Sequence, residues 1–342
     1  GLHGQNLFLF DNVPLYSTQH MFGMVSVYNP SIIKSAELYK SGFPAEYGGR
    51  IASVLDVRTK DANLNKFNGE IDLSLLASKV AVNVPLIEDK LGFTVAGRIS
   101  NYSLLNLISV SNLLEDTDMG LHFADLNTAI LYKPTPKDEL RLSFFYNSDG
   151  LDVKQAEYNG YSRAWQNNRQ QNLMLNWQRK LSKQCVNTLQ IFTDEYRFNY
   201  GNKTVRNPGL TKDFVRIISN IYSVSIEDRI SCRLSDHFST DAGVAIKGYE
   251  FSPFSLELAD TAHVSERPAV QRYEASFFAQ TKYQVLPGQT IDAGLRFSSF
   301  GNTNQSYLSL EPRFSYHGIF GEDFSANASV SKMSQNIHRI AN

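Results

Sequence analysis

From residue 67 to residue 332 the chain keeps a period of two. Ile71, Leu73 and Leu75 alternate with Glu70, Asp72 and Ser74, and Val80, Val82 and Val84 with Ala81 and Asn83. The rhythm returns at Leu91, Phe93 and Val95, at Leu173, Leu175 and Trp177, at Tyr222, Val224 and Ile226, along 273–283, at Ile291, Leu295 and Phe297, and at Leu308, Leu310, Phe314 and Tyr316. Successive side chains of a strand point to opposite faces, so the pattern predicts about thirteen strands, each with one apolar and one polar face. Charged residues stand mid-strand on the polar face: Glu274, Lys282, Asp292, Arg296, Glu311 and Arg313. In a soluble sandwich that face meets water outside. In a membrane barrel it lines a wet interior, because a Lys or Arg on lipid at mid-membrane costs roughly 2–4 kcal/mol.

Alternation alone does not choose between these two. Link lengths do. Short links are expected at 85–90, 134–139, 182–184, 235–238, 287–290 and 318–323, and long polar links between them at 101–124, 148–169, 199–217 and 251–268. Alternating short and long links mark an antiparallel up-and-down barrel with tight periplasmic turns and long outer loops; a Greek-key sandwich does not keep them so regularly.

Residues 29–61 read differently. Ile32, Ile33, Ala36 and Leu38 form a short strand that stops at Ser41-Gly42-Phe43-Pro44; after Gly48-Gly49 a second strand runs from Ile51 to Thr59. The segment GFPAEYGGRIASVLD at 42–56 resembles the end of the plug domain of TonB-dependent outer-membrane receptors of the Bacteroidetes type. Asp11-Asn12-Val13-Pro14-Leu15-Tyr16 stands where that family has DGVPVY, with Asn12 in place of the usual glycine, and Phe22-Gly23 and Tyr28-Asn29-Pro30 continue the likeness. It extends more weakly through Pro85, Arg98, Glu311-Pro312-Arg313 and residues 333–338. The branch that imports glycans with a lipoprotein lid usually has a different plug ending, and the chain is not assigned to it.

The resemblance implies a mainly all-β protein: residues 1–63 as the C-terminal part of a small α/β plug, and 64–342 as the first part of a transmembrane barrel, about 13 of an expected 22 strands. The start at Gly1-Leu2-His3 and the stop at Ile340-Ala341-Asn342 lead to the expectation of an internal fragment. The implied function is TonB-dependent import of a scarce nutrient, an iron chelate, cobalamin, peptide or glycan, across the bacterial outer membrane. The alternative is a plugged barrel that serves as a surface assembly or signalling component without transport. The implied partners are outer-membrane lipid, the small-molecule or oligomeric nutrient, and TonB through an N-terminal segment absent here.

Composition narrows this little. A net charge of −1 over 342 residues gives no reason to expect nucleic acid, and no apolar run approaches the eighteen or so residues of a membrane helix. Seventeen Tyr and twenty-two Phe suit a membrane barrel and a sandwich equally. The seven histidines show no ligand spacing, and no nucleophile elbow, phosphate loop, zinc signature or acidic dyad is present, so no enzyme, metal or cofactor is expected. Cys185 and Cys232 read as ordinary strand-end residues.

The candidate ligand contacts are Tyr16, His20, Met21 and Phe22 in an upper plug loop. The plainer alternative there is that Phe22 packs and His20 is solvated. A second group, Tyr158, Tyr161, Arg163 and Trp165, falls in an expected loop at 157–168. Aromatics beside an Arg stack on flat ligands and pair with anions; equally, they form an interfacial girdle or pack the loop. The apolar stretch 106–114 is expected to be a short helix folded against the barrel mouth, or a partner patch. Pro44, Gly48, Gly49 and Arg50 are read as plug architecture, with Arg50 paired to a barrel-wall carboxylate.

Overall fold

The structure, a computed structural model, describes residues 4–101, 116–206, 211–258, 261–266, 268–320 and 324–337. The expectation for 106–114 lies outside them. Six short strands come first: β1 (Leu7–Phe10), β2 (Val13–Pro14), β3 (Gln19–His20), β4 (Val25–Ser26), β5 (Ile33–Tyr39) and β6 (Val54–Thr59). Four of them form a sheet in the order β2-β1-β6-β5, with β1 and β6 parallel and the other pairs antiparallel. The turn between β1 and β2 has Asp11 at φ 51° and Asn12 at φ 72°. Two positive φ values in a two-residue loop define a type I′ hairpin, which Asn tolerates among non-glycine residues, so Asn12 can stand where the resembling family has glycine.

The rest is one large antiparallel sheet: β7 (Asn68–Leu73), β8 (Ala77–Ile87), β9 (Leu91–Ser100), β10 (Thr117–Thr135), β11 (Asp138–Glu157), β12 (Gly160–Lys180), β13 (Cys185–Arg206), β14 (Thr211–Arg233), β15 (Phe238–Leu258), β16 (Thr261–Glu266), β17 (Val270–Leu286), β18 (Gln289–Gly301), β19 (Ser306–Phe320) and β20 (Phe324–Ser331). Among the described residues, thirteen strands pair in chain order from β7 to β20, and β16 attaches to β15 beside that series. This agrees with the thirteen read from alternation.

Burial runs opposite to that of a water-soluble protein. Gln170, Asp194, Arg296, Glu311 and Arg313 are buried on one face, while Leu173, Ile246, Phe277 and Phe297 stand exposed on the other, Ile246 at 65%. Such a surface is costly in water and favourable against hydrocarbon. Among the described residues no helix is long and apolar enough to cross a membrane, which says nothing against crossing by strands.

The small sheet packs against the polar concave face. Its core joins Phe10, Leu15, Val27, Ile32 and Val57 to Ala96 and Phe145 of the wall; Val13 meets Met174 and Phe192. A second cluster, Leu9, Phe43, Tyr47 and Val54, fills its other side.

Two expectations need correction. Among the described residues the long links are largely strand: β11 and β12 run on to a two-residue turn at Tyr158-Asn159, β13 reaches Arg206 and β14 begins at Thr211, β15 continues to Leu258 with β16 beyond it, and β10 begins at Thr117. Beyond the apolar band both faces of a strand are wet, so polar residues occupy both and erase the period-two signal while the backbone ladder continues. Cys185 and Cys232, read as unpaired, form a disulfide. They are direct cross-strand partners on β13 and β14, a register that a 47-residue separation conceals.

Candidate functional site

The site with most chemistry is the seam between the small sheet and the wall. It begins at the β1–β2 hairpin. Asn12 Nδ2 donates to Gln190 Oε1 and to Glu227 Oε2, each at 2.9 Å, and Gln190 Nε2 donates back to the Asp11 carbonyl at 2.8 Å. On β12, the strand next to that of Gln190, Gln170 is 0% exposed. Its Oε1 accepts from the Tyr16 amide (3.0 Å), while its Nε2 donates to the Pro14 carbonyl (2.9 Å) and Asp194 Oδ1 (2.8 Å). A side-chain amide has both donors and an acceptor, so one buried Gln satisfies two backbone groups of a segment that has no ladder partner there.

His20 ends β3 and is 1% exposed. Its Nε2 lies 2.7 Å from Asp125 Oδ1 on β10, and its Nδ1 3.6 Å from Asp149 Oδ1 on β11. Arg98 on β9 donates from Nε to Asp125 Oδ2 at 2.7 Å and from Nη2 to the Ser26 carbonyl at 2.6 Å. The Phe123 ring stacks on the imidazole at 4.5 Å, and the Met21 amide donates to Asp149 Oδ1 at 3.0 Å. Burial opposes charge on His20, but its hydrogen bonds and attraction to the two carboxylates outweigh it and raise its pKa above 6.5.

On the other side of the seam the wall holds the 42–50 segment. Arg313 Nη1 donates to the Pro44 carbonyl at 2.6 Å, Arg296 Nη1 to the Glu46 carbonyl at 2.9 Å, and Arg229 Nη1 to the Glu46 carboxylate. The Arg296 guanidinium lies so close over Gly48 that a Cβ there would run into its Nε. Gly49 is needed for a different reason, its φ of +75° with nothing crowding it. Arg50 makes no ion pair with a wall carboxylate among the described residues; its Nη1 donates to the Gly49 carbonyl at 2.8 Å. The expected polarity is therefore reversed. Here the wall supplies the arginines and the seated loop supplies the carbonyls, which a turn leaves without ladder partners.

Between these anchors lies a cavity of about 140 Å³. Asn12, Tyr16, Gly48, Gly49 and Arg50 line one side, and Glu227, Lys247, Tyr249, Glu274 and Arg296 the other. Two ion pairs stand in its lining: Lys247 Nζ is 2.7 Å from Glu227, and Arg296 Nη2 3.5 Å from Glu274. Burial and then the nearby Asp194 carboxylate push the Tyr16 phenol above its ordinary pKa, so it stays neutral. Tyr16 packs on Tyr196 at 5.7 Å, and Tyr249 packs on Phe251 and Phe300. Tyr196, Tyr249 and Phe300 each stand eleven residues along their strands from the short-turn end, and so form one aromatic tier. Among the described residues no three His, Cys, Asp or Glu side chains gather to hold a metal ion.

The structure thus brings Tyr16, Pro44, Gly48, Gly49 and Arg50 to the seam. His20 and Met21 are there too, but buried, neither solvated nor open to an incoming ligand. The Phe22 side chain lies outside the described residues. Tyr158 is at a hairpin tip, and Tyr161, Arg163 and Trp165 stand on β12 with the parity of exposed Leu173, so they face away from the cavity. They also lie well beyond the height of Tyr146, Tyr222 and Tyr273, which edge the apolar band. Sequence reading named Arg98 only as part of the family likeness and missed Asp125, Gln170, Tyr196, Tyr249 and Phe300; each of those is an ordinary polar-face or strand residue until register lines them up.

No family model and no curated protein matches the chain in sequence. Solved structures match its fold. A mutant of the ferric enterobactin receptor PfeA from Pseudomonas aeruginosa is 12% identical with a TM-score of 0.66, covering 98% of this chain and 55% of its own. The siderophore receptor PirA from Acinetobacter baumannii is 15% identical with a TM-score of 0.68 and the same coverage. FpvA from P. aeruginosa, bound to a pyoverdine, is 11% identical with a TM-score of 0.66, covering 95% of this chain and 50% of its own. The chain has the fold of these receptors and spans about half their length.

Proposed function

We propose that the small sheet and the large one are plug and barrel wall of a TonB-dependent outer-membrane receptor that actively imports a scarce nutrient, with ferric chelates the first class to test. One observation carries the reading: a strand-built piece with the plug-like segments 11–16 and 42–56 sits on the polar concave face of a sheet whose convex face is apolar. The fold shared with receptors named for ferric enterobactin and siderophores supports the substrate class. The cavity-lining rings of Tyr16 and Tyr249, backed by Tyr196 and Phe300, support it further, since flat rings stack on aryl chelating groups.

No covalent chemistry is needed. A cavity of about 140 Å³ admits a few water molecules and no ferric chelate, so passage requires the plug to shift. The anchors are suited to that. Arg296, Arg313 and Gln170 hold backbone carbonyls through hydrogen bonds that water can replace, each worth about 1 kcal/mol net, or about 1.5–3 where charged. A pull transmitted through TonB can exchange them one after another.

The test is uptake in cells that carry the full-length protein, with and without TonB, of radiolabelled ferric chelates, cobalamin and oligosaccharides. TonB-dependent accumulation of a ferric chelate is expected. A correctly inserted barrel that accumulates none of the panel overturns transport in favour of a surface assembly component.

A further inference from the structure

The convex face carries a second arrangement, beyond the apolar band on β11 to β14. The register of β12 with both neighbours runs without a shift from Gly160 to Arg179. Gln170 and Asn172 are buried on the concave face, so the odd-numbered residues 161–169 point outward. There Arg163 is the direct cross-strand partner of both Lys154 and Lys203, a row of three cations on three adjacent strands. Six residues nearer the apolar band, roughly 20 Å along the strand, Arg169 is directly opposite Arg197.

Like charges directly opposed on one face destabilise a sheet. Acids answer only part of the charge: Asp118 stands directly opposite Lys154, Asp152 pairs with Arg163, and Glu195 lies 3.5 Å from Arg169, three acids against five cations. Aromatic rings fill the space between. Tyr161 has the Lys154 and Lys203 ammonium groups 4.8 and 5.3 Å from its centroid, and Trp165 lies across Gly201. Towards the short-turn end the same face becomes apolar at Leu173 and Leu175.

We propose that these two rows bind the phosphate groups of a phosphorylated glycolipid of the outer leaflet. The Arg169–Arg197 row takes the phosphate nearest the acyl chains, and the Lys154–Arg163–Lys203 row takes phosphates on the outer sugars. The inference rests on the outer-membrane reading given above. Its grounds are charge complementarity and continuity with the apolar band, on which the acyl chains lie. A phosphate between opposed cations turns their repulsion into charge-assisted hydrogen bonds, and guanidinium groups match it bidentately.

The experiment uses the full-length protein in mild detergent, incubated in turn with diphosphoryl lipid A, dephosphorylated lipid A and phosphatidylethanolamine, with bound lipid counted by native mass spectrometry. Diphosphoryl lipid A is expected to be retained and R169Q/R197Q to lose about tenfold of that retention; a lipopolysaccharide with phosphorylated core sugars, run beside the three lipids, is expected to be retained too and K154Q/K203Q to lose about tenfold of it, each the equivalent of one charge-assisted contact. Heat-modifiable electrophoretic mobility checks that each barrel is folded; if a pair fails to fold, the single exposed-site variants R197Q and K154Q replace it. Equal retention of all three lipids, or unchanged retention in folded variants of both rows, overturns the proposal. Lipid retention without nutrient uptake supports the site while overturning transport, and uptake without retention overturns the site alone.

Discussion

At the residue scale, two acidic side chains from neighbouring strands converge on one buried imidazole. His20 has a pKa raised above its unfolded value of 6.5. The stabilisation is therefore complete below 6.5 and is lost as pH rises through the higher folded value. The melting-temperature gap between wild type and H20Q is expected to be widest near pH 5.5 and to shrink towards pH 9, read by calorimetry of the detergent-solubilised protein; a gap independent of pH overturns the assignment. Asp125 answers to both His20 and Arg98, so D125N is expected to cost more than H20Q, about 3–5 kcal/mol, because it strands a buried guanidinium. The two adjacent glycines separate in the same assay. Gly48→Ala pushes a Cβ into Arg296 and is expected to cost about 1–3 kcal/mol. Gly49→Ala meets only positive-φ strain, about 1–2 kcal/mol, and leaves the Arg296 anchor in place.

At the scale of elements, arginines of β18 and β19 clamp the turn carbonyls of the segment that joins β5 to β6. Replacing both, as R296A/R313A, is expected to loosen the seated piece without unfolding the sheet. The readout is passive entry of an antibiotic too large for porins, which rises in the variant; unchanged entry shows that the clamp is dispensable. The β11–β12 ribbon supplies a test of orientation, because Tyr158 at its tip is 100% exposed. A peptide tag inserted at 158–159 is expected to be tolerated and to be labelled by antibody on intact cells. Labelling only after permeabilisation inverts the proposed topology. The ribbon also explains why sequence mistook a strand pair for a loop: above the band the environment no longer distinguishes the two faces, and only backbone pairing remains.

At the scale of the whole molecule, the alternation of residues 67–332 determined that there are about thirteen strands, the faces of the side chains within the apolar band and the short turns at 85–90, 134–139, 182–184, 235–238 and 287–290, since a strand's period of two is local backbone geometry. It also placed Arg296, Glu311 and Arg313 on one face. The segments 11–16 and 42–56 marked the piece that sits against that face. Link lengths had already pointed to the polar face as the enclosed one; tertiary structure alone decided that the arginines of the wall grip the carbonyls of Pro44 and Glu46. It decided as well that His20 meets Asp125 across 105 residues and that Cys185 meets Cys232. Such pairings depend on strand register and on the seating of one sheet against another, both set by the sum of many contacts distant in sequence.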